Sequence, residues 1–146
     1  MTAAIPAARP SIGSLEIDAV AEVMATGNLA QGRQVSAFET EFASVVAGRD
    51  CVAVNSGTSA LHLALLAAGI GPGDEVIVPS FTFAATANAV SLAGATPVFA
   101  DIEHDSFCID PVSVEAALTP LTRAIMPVHL YGHPAAMNEL VPLASR

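Results

Sequence analysis

The chain has 146 residues, a length that suits one ordinary domain with its own core. Five arginines, no lysine and 14 acidic residues give a formal net charge of -9, which leaves no basic patch for nucleic acid. Hydrophobic residues make up 53% of the chain and the mean hydropathy is +0.58, so a membrane span has to be weighed against a buried core.

The first ten residues, MTAAIPAARP, have neither a basic start nor an apolar run and do not resemble a signal peptide. Ser14 is placed to cap a helix over LEIDAVAEVMAT, and Gly27 is placed to end it. NLAQGRQ reads as a polar turn. Val35, Phe38, Phe42 and Val45 follow at 3-4-3 spacing, which predicts a second amphipathic helix to about Gly48. Residues 1–50 therefore form an N-terminal helical segment.

From residue 51 to 146 the pattern alternates. CVAV, EVIVP, TPVFADI and AIMPVHL read as strands, and TSALHLALLAA, FAATANAVSLA and VSVEAAL read as helices between them. Gly69 with GPGD and Gly94 supply the turns. Asp110 precedes Pro111, the favoured pairing of an N-cap with proline at the first helical position. YGHP is a turn, and AMNELVPLAS begins another helix. This alternation predicts an α/β fold: a mostly parallel sheet with helices on both faces and right-handed crossovers. It also accounts for the uncharged run Val76–Ala100. Pro79, Asn88, Gly94 and Pro97 interrupt that run, and its period changes from strand to helix and back, so it reads as core and not as a bilayer span. Cys51 and Cys108 lack metal-ligand spacing and read as reduced core thiols of a cytoplasmic protein.

The polar stretch Asn55-Ser56-Gly57-Thr58-Ser59 lies between the first strand and the helix after it. A helix N-terminus exposes unsatisfied N–H groups and the positive end of the helix dipole, and at the carboxyl end of a parallel strand it makes an anion site. Gly57 permits close backbone approach, and Ser56, Thr58 and Ser59 add hydroxyls, a set that suits a phosphate monoester. Simple helix capping by serine explains the same residues. The stretch is neither GxGxxG nor GxxxxGK[ST], which argues against an unrelated nucleotide-binding fold. VPSFTFAATANAV repeats the strand-to-helix arrangement and sets Phe81 and Phe83 beside the carboxyl end of the sheet. There an aromatic face can stack on a planar ring, or simply pack in the core; Phe81 reads as a core residue, and for Phe83 spacing leaves both open.

NSGTSALHLAL, GPGDEVIVPSFTFAATANAV, GATPVFADI and IMPVHLYGHPAAM together resemble the DegT/DnrJ/EryC1/StrS family, as does GNLAQGRQVSAFETEFA. These are sugar aminotransferases dependent on pyridoxal phosphate, and the resemblance runs from about Ser14 onward. It implies the N-terminal part of the large domain of a fold type I aminotransferase, incomplete at its C-terminus. It implies that Gly57, Thr58 and Ser59 hold the cofactor phosphate and that Phe83 stacks on the pyridine ring. Asn28 and Gln31 match a segment near the nucleotide-sugar substrate, and His129 lies in the matching PVHLYG motif. The implied substrates are a keto-sugar nucleotide and an amino-acid donor such as glutamate, and the implied assembly is a homo-oligomer.

The family holds its cofactor as a Schiff base on a lysine. The 146 residues contain none, so no catalytic residue is assigned and no transaminase activity is expected of this chain alone. Other readings are a phosphate- or partner-binding remnant, or part of a family dehydratase. No metal site is expected: Asp101, Glu103, His104 and Asp105 alternate along a strand exit, so their side chains diverge. His62 reads as a packed helix residue, His133 flanks the same LYG turn as His129, and Asp74-Glu75 reads as surface charge.

Overall fold

The computed structural model describes Pro6 and residues 8–145. The reading of the first ten residues thus lies largely outside the described residues. The chain divides into two compact units, Met1–Ala53 and Val54–Arg146.

The first unit holds α1 (Ser14–Thr26) and α2 (Arg33–Val45). Ser14 is not the cap. It is the first helical residue, and Gly13 precedes it in extended conformation. The Gly13 N–H donates to the Glu16 carboxylate at 2.6 Å, so the acid three residues into the helix closes the N-terminus instead of a hydroxyl before it. Gly27 ends α1 as expected, its N–H bonded to the Met24 carbonyl. The Phe38 and Phe42 rings lie 5.7 Å apart on one face of α2. Neither helix buries a residue fully, and α1 leaves Ile17, Val20 and Met24 exposed.

The second unit is the α/β part. Its elements are α3 (Gly57–Ala67), β1 (Glu75–Pro79), α4 (Ala85–Leu92), β2 (Thr96–Ala100), α5 (Pro111–Ala117), β3 (Thr122–Ile125), a 3-10 turn at Leu130–Gly132, and α6 (Met137–Ala144). The three strands form one parallel sheet in the order β2-β1-β3. β1 is central and alternates between two cores. Val76 and Val78 pack with Leu65 and Ile70 and with Ala89 and Val90 of α4, while Ile77 packs with Val114 of α5 and Leu140 and Leu143 of α6. This period of two is why EVIVP is apolar on both sides, as a strand covered on both faces must be. The uncharged run Val76–Ala100 is accounted for by β1, α4 and β2, and no helix among the described residues is long and apolar enough to cross a membrane.

Two expected strands differ. Cys51–Val54 has no ladder partner among the described residues, and both edges of β1 are already taken by β2 and β3. The last strand runs Thr122–Ile125 and not Ala124–Leu130. Its register is set from β1: the Glu75 N–H bonds Leu121 O and the Met126 N–H bonds Ile77 O, and Pro127 then has no N–H to offer. The Asp110 cap stands as expected, its carboxylate accepting the Val112 N–H at 3.0 Å and the Ser113 N–H at 3.3 Å.

Candidate cofactor site

α3 and α4 lie on one face of the sheet and run the same way. Their C-terminal ends meet: Gly94, with φ +82°, sits so close to the Gly71-Pro72 turn that a Cβ on it would lie 3.1 Å from Pro72 Cγ. The Thr96 N–H also bonds Asp74 O at 2.9 Å, where the two connections enter β1 and β2. Both N-termini therefore stand at the carboxyl end of the sheet. The Asn55–Ser59 stretch and Phe83 share that end, which is where open α/β sheets bind ligands.

The hydroxyls of the stretch divide their tasks. Ser56 is the N-cap of α3, and its Oγ accepts the Ser59 N–H at 3.1 Å. The Ser59 hydroxyl donates to Asn55 Oδ1 at 2.8 Å, so the 2.9 Å contact between the two serine oxygens is a donation from Ser56 to Ser59. Capping thus occupies Ser56 and Ser59. Among the described residues, the N–H groups of Gly57 and Thr58 and the Thr58 hydroxyl have no partner. Nothing lies within 4 Å of where a Gly57 Cβ would stand. Neither packing nor backbone sign among the described residues calls for glycine there. Two convergent N–H groups, one hydroxyl and a helix N-terminus fit the phosphate of pyridoxal phosphate.

Phe83 is 80% exposed, so it is not a core residue. Its carbonyl accepts the Thr86 N–H at 3.0 Å, and the buried Thr86 hydroxyl meets Thr82 Oγ1 at 3.1 Å. Sequence reasoning missed this pair and also missed the part Asn55 plays. The i, i+4 threonines were the available signal, and the Asx residue before the cap was a second.

The family profile of the DegT/DnrJ/EryC1/StrS aminotransferases matches residues 10–146. The chain belongs to that family. It is 50% identical over 140 residues to the spore coat polysaccharide biosynthesis protein SpsC of Bacillus subtilis (strain 168), which covers 96% of this chain and 36% of SpsC. DesV of S. venezuelae, solved in complex with a ketimine intermediate, matches with TM-score 0.84 at 52% identity over 90% of this chain and 36% of DesV. Spr1654 of Streptococcus pneumoniae, described as a sugar aminotransferase and solved in its PLP form, matches with TM-score 0.88 at 35% identity over 95% of this chain and 36% of that one. The chain thus spans about a third of the length of these relatives, and the match lies in their N-terminal third. Its parallel α/β architecture is that of fold type I aminotransferases over the part it covers.

The remaining family-implied positions are Asn28, Gln31 and His129. Asn28 and Gln31 line a cleft of about 370 Å³ within the first unit, together with Glu22 and Arg33. With its amide oriented to suit its neighbours, Asn28 donates to the carbonyls of Ala30 and Gln31. His129, at the exit from β3, accepts the Ala135 N–H on Nδ1 at 3.0 Å. Its ring therefore offers Nε2–H as a donor to solvent. His62 is half-buried on α3, and the exposed His104 pairs with Asp105 at 3.2 Å. Among the described residues no group of three or more His, Cys, Asp or Glu side chains could hold a metal. Cys108 is buried and Cys51 half-buried, and neither is in a disulfide.

Proposed function

We propose that this chain supplies the phosphate seat and ring-stacking face for pyridoxal phosphate in an enzyme that transfers an amino group to a keto-sugar nucleotide. The observation that carries this reading is the open donor set of Gly57 and Thr58 at the same sheet end as Phe83. The names of the relatives support it: SpsC is named for polysaccharide biosynthesis, and Spr1654 has been solved in PLP and PMP forms.

In this reading the Gly57 and Thr58 N–H groups and the Thr58 hydroxyl bind the phosphate, and the α3 dipole favours its charge. Ser59 contributes by fixing Ser56 and Asn55, so that the first turn of α3 is already in place before the anion arrives. Phe83 covers one face of the ring. Bound there, the cofactor supplies the electron sink that amino transfer needs. No lysine is present in these 146 residues to hold it covalently, so binding to them is non-covalent. Asn28 and Gln31 are assigned as candidate substrate residues of the first unit, and His129, with its Nε2–H, as one of the second. The amino donor is an amino acid, the working compartment is the cytoplasm, and the partner in assembly is a second copy of the chain.

The test uses Gly57→Ala. A methyl group there meets open space in the chain, so stability is expected to hold or rise, because alanine is the better helix former. Pyridoxal phosphate titrated onto the chain is expected to bind at least tenfold more weakly to this variant, through lost phosphate approach. Thr58→Val and Phe83→Ala are expected to weaken binding as well. Equal binding by Gly57→Ala and by the unaltered chain refutes the phosphate seat.

A further inference from the structure

Phe83 stands on the loop Ser80–Ala84, between β1 and α4, and that loop is tied down at three points. The Ser80 N–H donates to Ala100 O at 2.9 Å, which fixes the loop to the end of β2. The Thr82–Thr86 pair and the Thr86 N–H fix it to the start of α4. The third tie is aromatic. The Phe81 ring lies 6.2 Å from the Phe107 ring, tilted by 58°, within the centroid distance of an aromatic pair.

Phe107 comes from the connection between β2 and α5, and its φ is +56°. A bulky residue in the left-handed region is an outlier that the surrounding structure has to hold in place. Here the Glu103 N–H bonds Cys108 O at 2.9 Å and the Phe107 N–H bonds Glu103 O at 3.0 Å. The Ser106 hydroxyl donates to the Glu103 carboxylate at 2.6 Å and accepts the Cys108 N–H at 3.1 Å. Buried Cys108 and Ile109 anchor the loop from below. Glycine at this position would meet the backbone requirement without strain. What phenylalanine adds is a ring, yet that ring is 51% exposed and its partner Phe81 is 49% exposed. Burial alone does not account for an aromatic residue there.

We infer that Phe107 is a positioning residue: through Phe81 it fixes the loop that carries Phe83, and so the ring face offered to the cofactor. This rests on the reading of Phe83 as the stacking residue.

Amide hydrogen exchange on the full chain tests the tie without any ligand. Phe107→Gly removes the ring and relieves the backbone, and Phe81→Leu removes the partner from the other side. Each is expected to speed exchange at the Ser80 and Thr86 amides about three- to tenfold, the size of an aromatic pair, with Ile77 and Val78 unchanged. The double variant should be no faster than either single one, and Phe107→Tyr should restore the original rates. Titrated pyridoxal phosphate should bind Phe107→Gly more weakly by a similar factor, with no fall in thermal midpoint. Unchanged exchange at Ser80 and Thr86 in both single variants overturns the inference. So does loss of protection at Ile77 and Val78 in both, since the pair would then hold the sheet and not the loop. If Phe83→Ala weakens binding and Phe107→Gly does not, this inference alone fails. If Phe83→Ala binds normally, the reading of the stacking residue fails first.

Discussion

Ser56 and Ser59 hold each other: the Ser59 N–H donates to Ser56 Oγ at 3.1 Å, and the two hydroxyl oxygens lie 2.9 Å apart. The start of α3 is therefore complete without a ligand, and the groups left over are those of Gly57 and Thr58. Ser56→Ala should cost about 0.5–2 kcal/mol of stability in urea denaturation, the usual worth of a hydroxyl N-cap. Thr58→Val should leave the urea midpoint nearly unchanged while weakening pyridoxal phosphate binding. Reversed effects for the two substitutions would mean that capping and binding have been assigned to the wrong residues.

The Gly13–Glu16 contact gives α1 a pH dependence. The hydrogen bond from the Gly13 N–H, followed by that from the Glu16 N–H, holds the Glu16 carboxyl below the usual glutamate range. A carboxyl depressed in the folded state stabilises above its unfolded pKa, and that contribution is lost as pH falls through the folded value. The Gly13 amide resonance should therefore move on acidification with a midpoint below that of an ordinary glutamate. In Glu16→Gln this acid transition should disappear.

Ile77 is fully buried at the centre of the middle strand and faces the α5/α6 core. Ile77→Val should cost about 0.5–1.5 kcal/mol, and Ile77→Ala about 2–5 kcal/mol, measured by chemical denaturation. Near-equal costs for the two would show that this core collapses around a deletion and is loosely packed.

Association is expected. α1 exposes Ile17, Val20 and Met24 along one face, and the outer edges of β2 and β3 are unpaired among the described residues. The charge of -9 opposes pairing diffusely and is screened by salt. Apolar burial at about 25 cal/mol per Å² outweighs that repulsion once several hundred Å² are covered. Light scattering at micromolar concentration and moderate salt should give a mass above 14.8 kDa, and Val20→Glu should lower it. A monodisperse monomer of the unaltered chain would overturn the expectation.

The sequence by itself determined what short-range chemistry can encode. The apolar period of EVIVP, the Asp110-Pro111 start of α5 and the Gly27 and Gly94 stops act within one or two turns of chain, and each appears where its residues place it. The family was legible for the same reason, because its motifs are local: the Asn55–Ser59 stretch opens α3 and the Phe83 segment joins β1 to α4. Tertiary structure decided whatever depends on a distant partner. CVAV has a strand's composition and no ladder partner among the described residues. β3 lies two residues earlier than its apolar run because Glu75 and Ile77 set its register. Ser56 and Ser59 were separated from Thr58 only by the direction of their hydroxyls. Phe107 had no local signal at all, since its place opposite Phe81 follows from two loops meeting at one end of the sheet. A side chain's neighbours along the chain are written in the sequence, but its neighbours across the sheet exist only after the strands have paired.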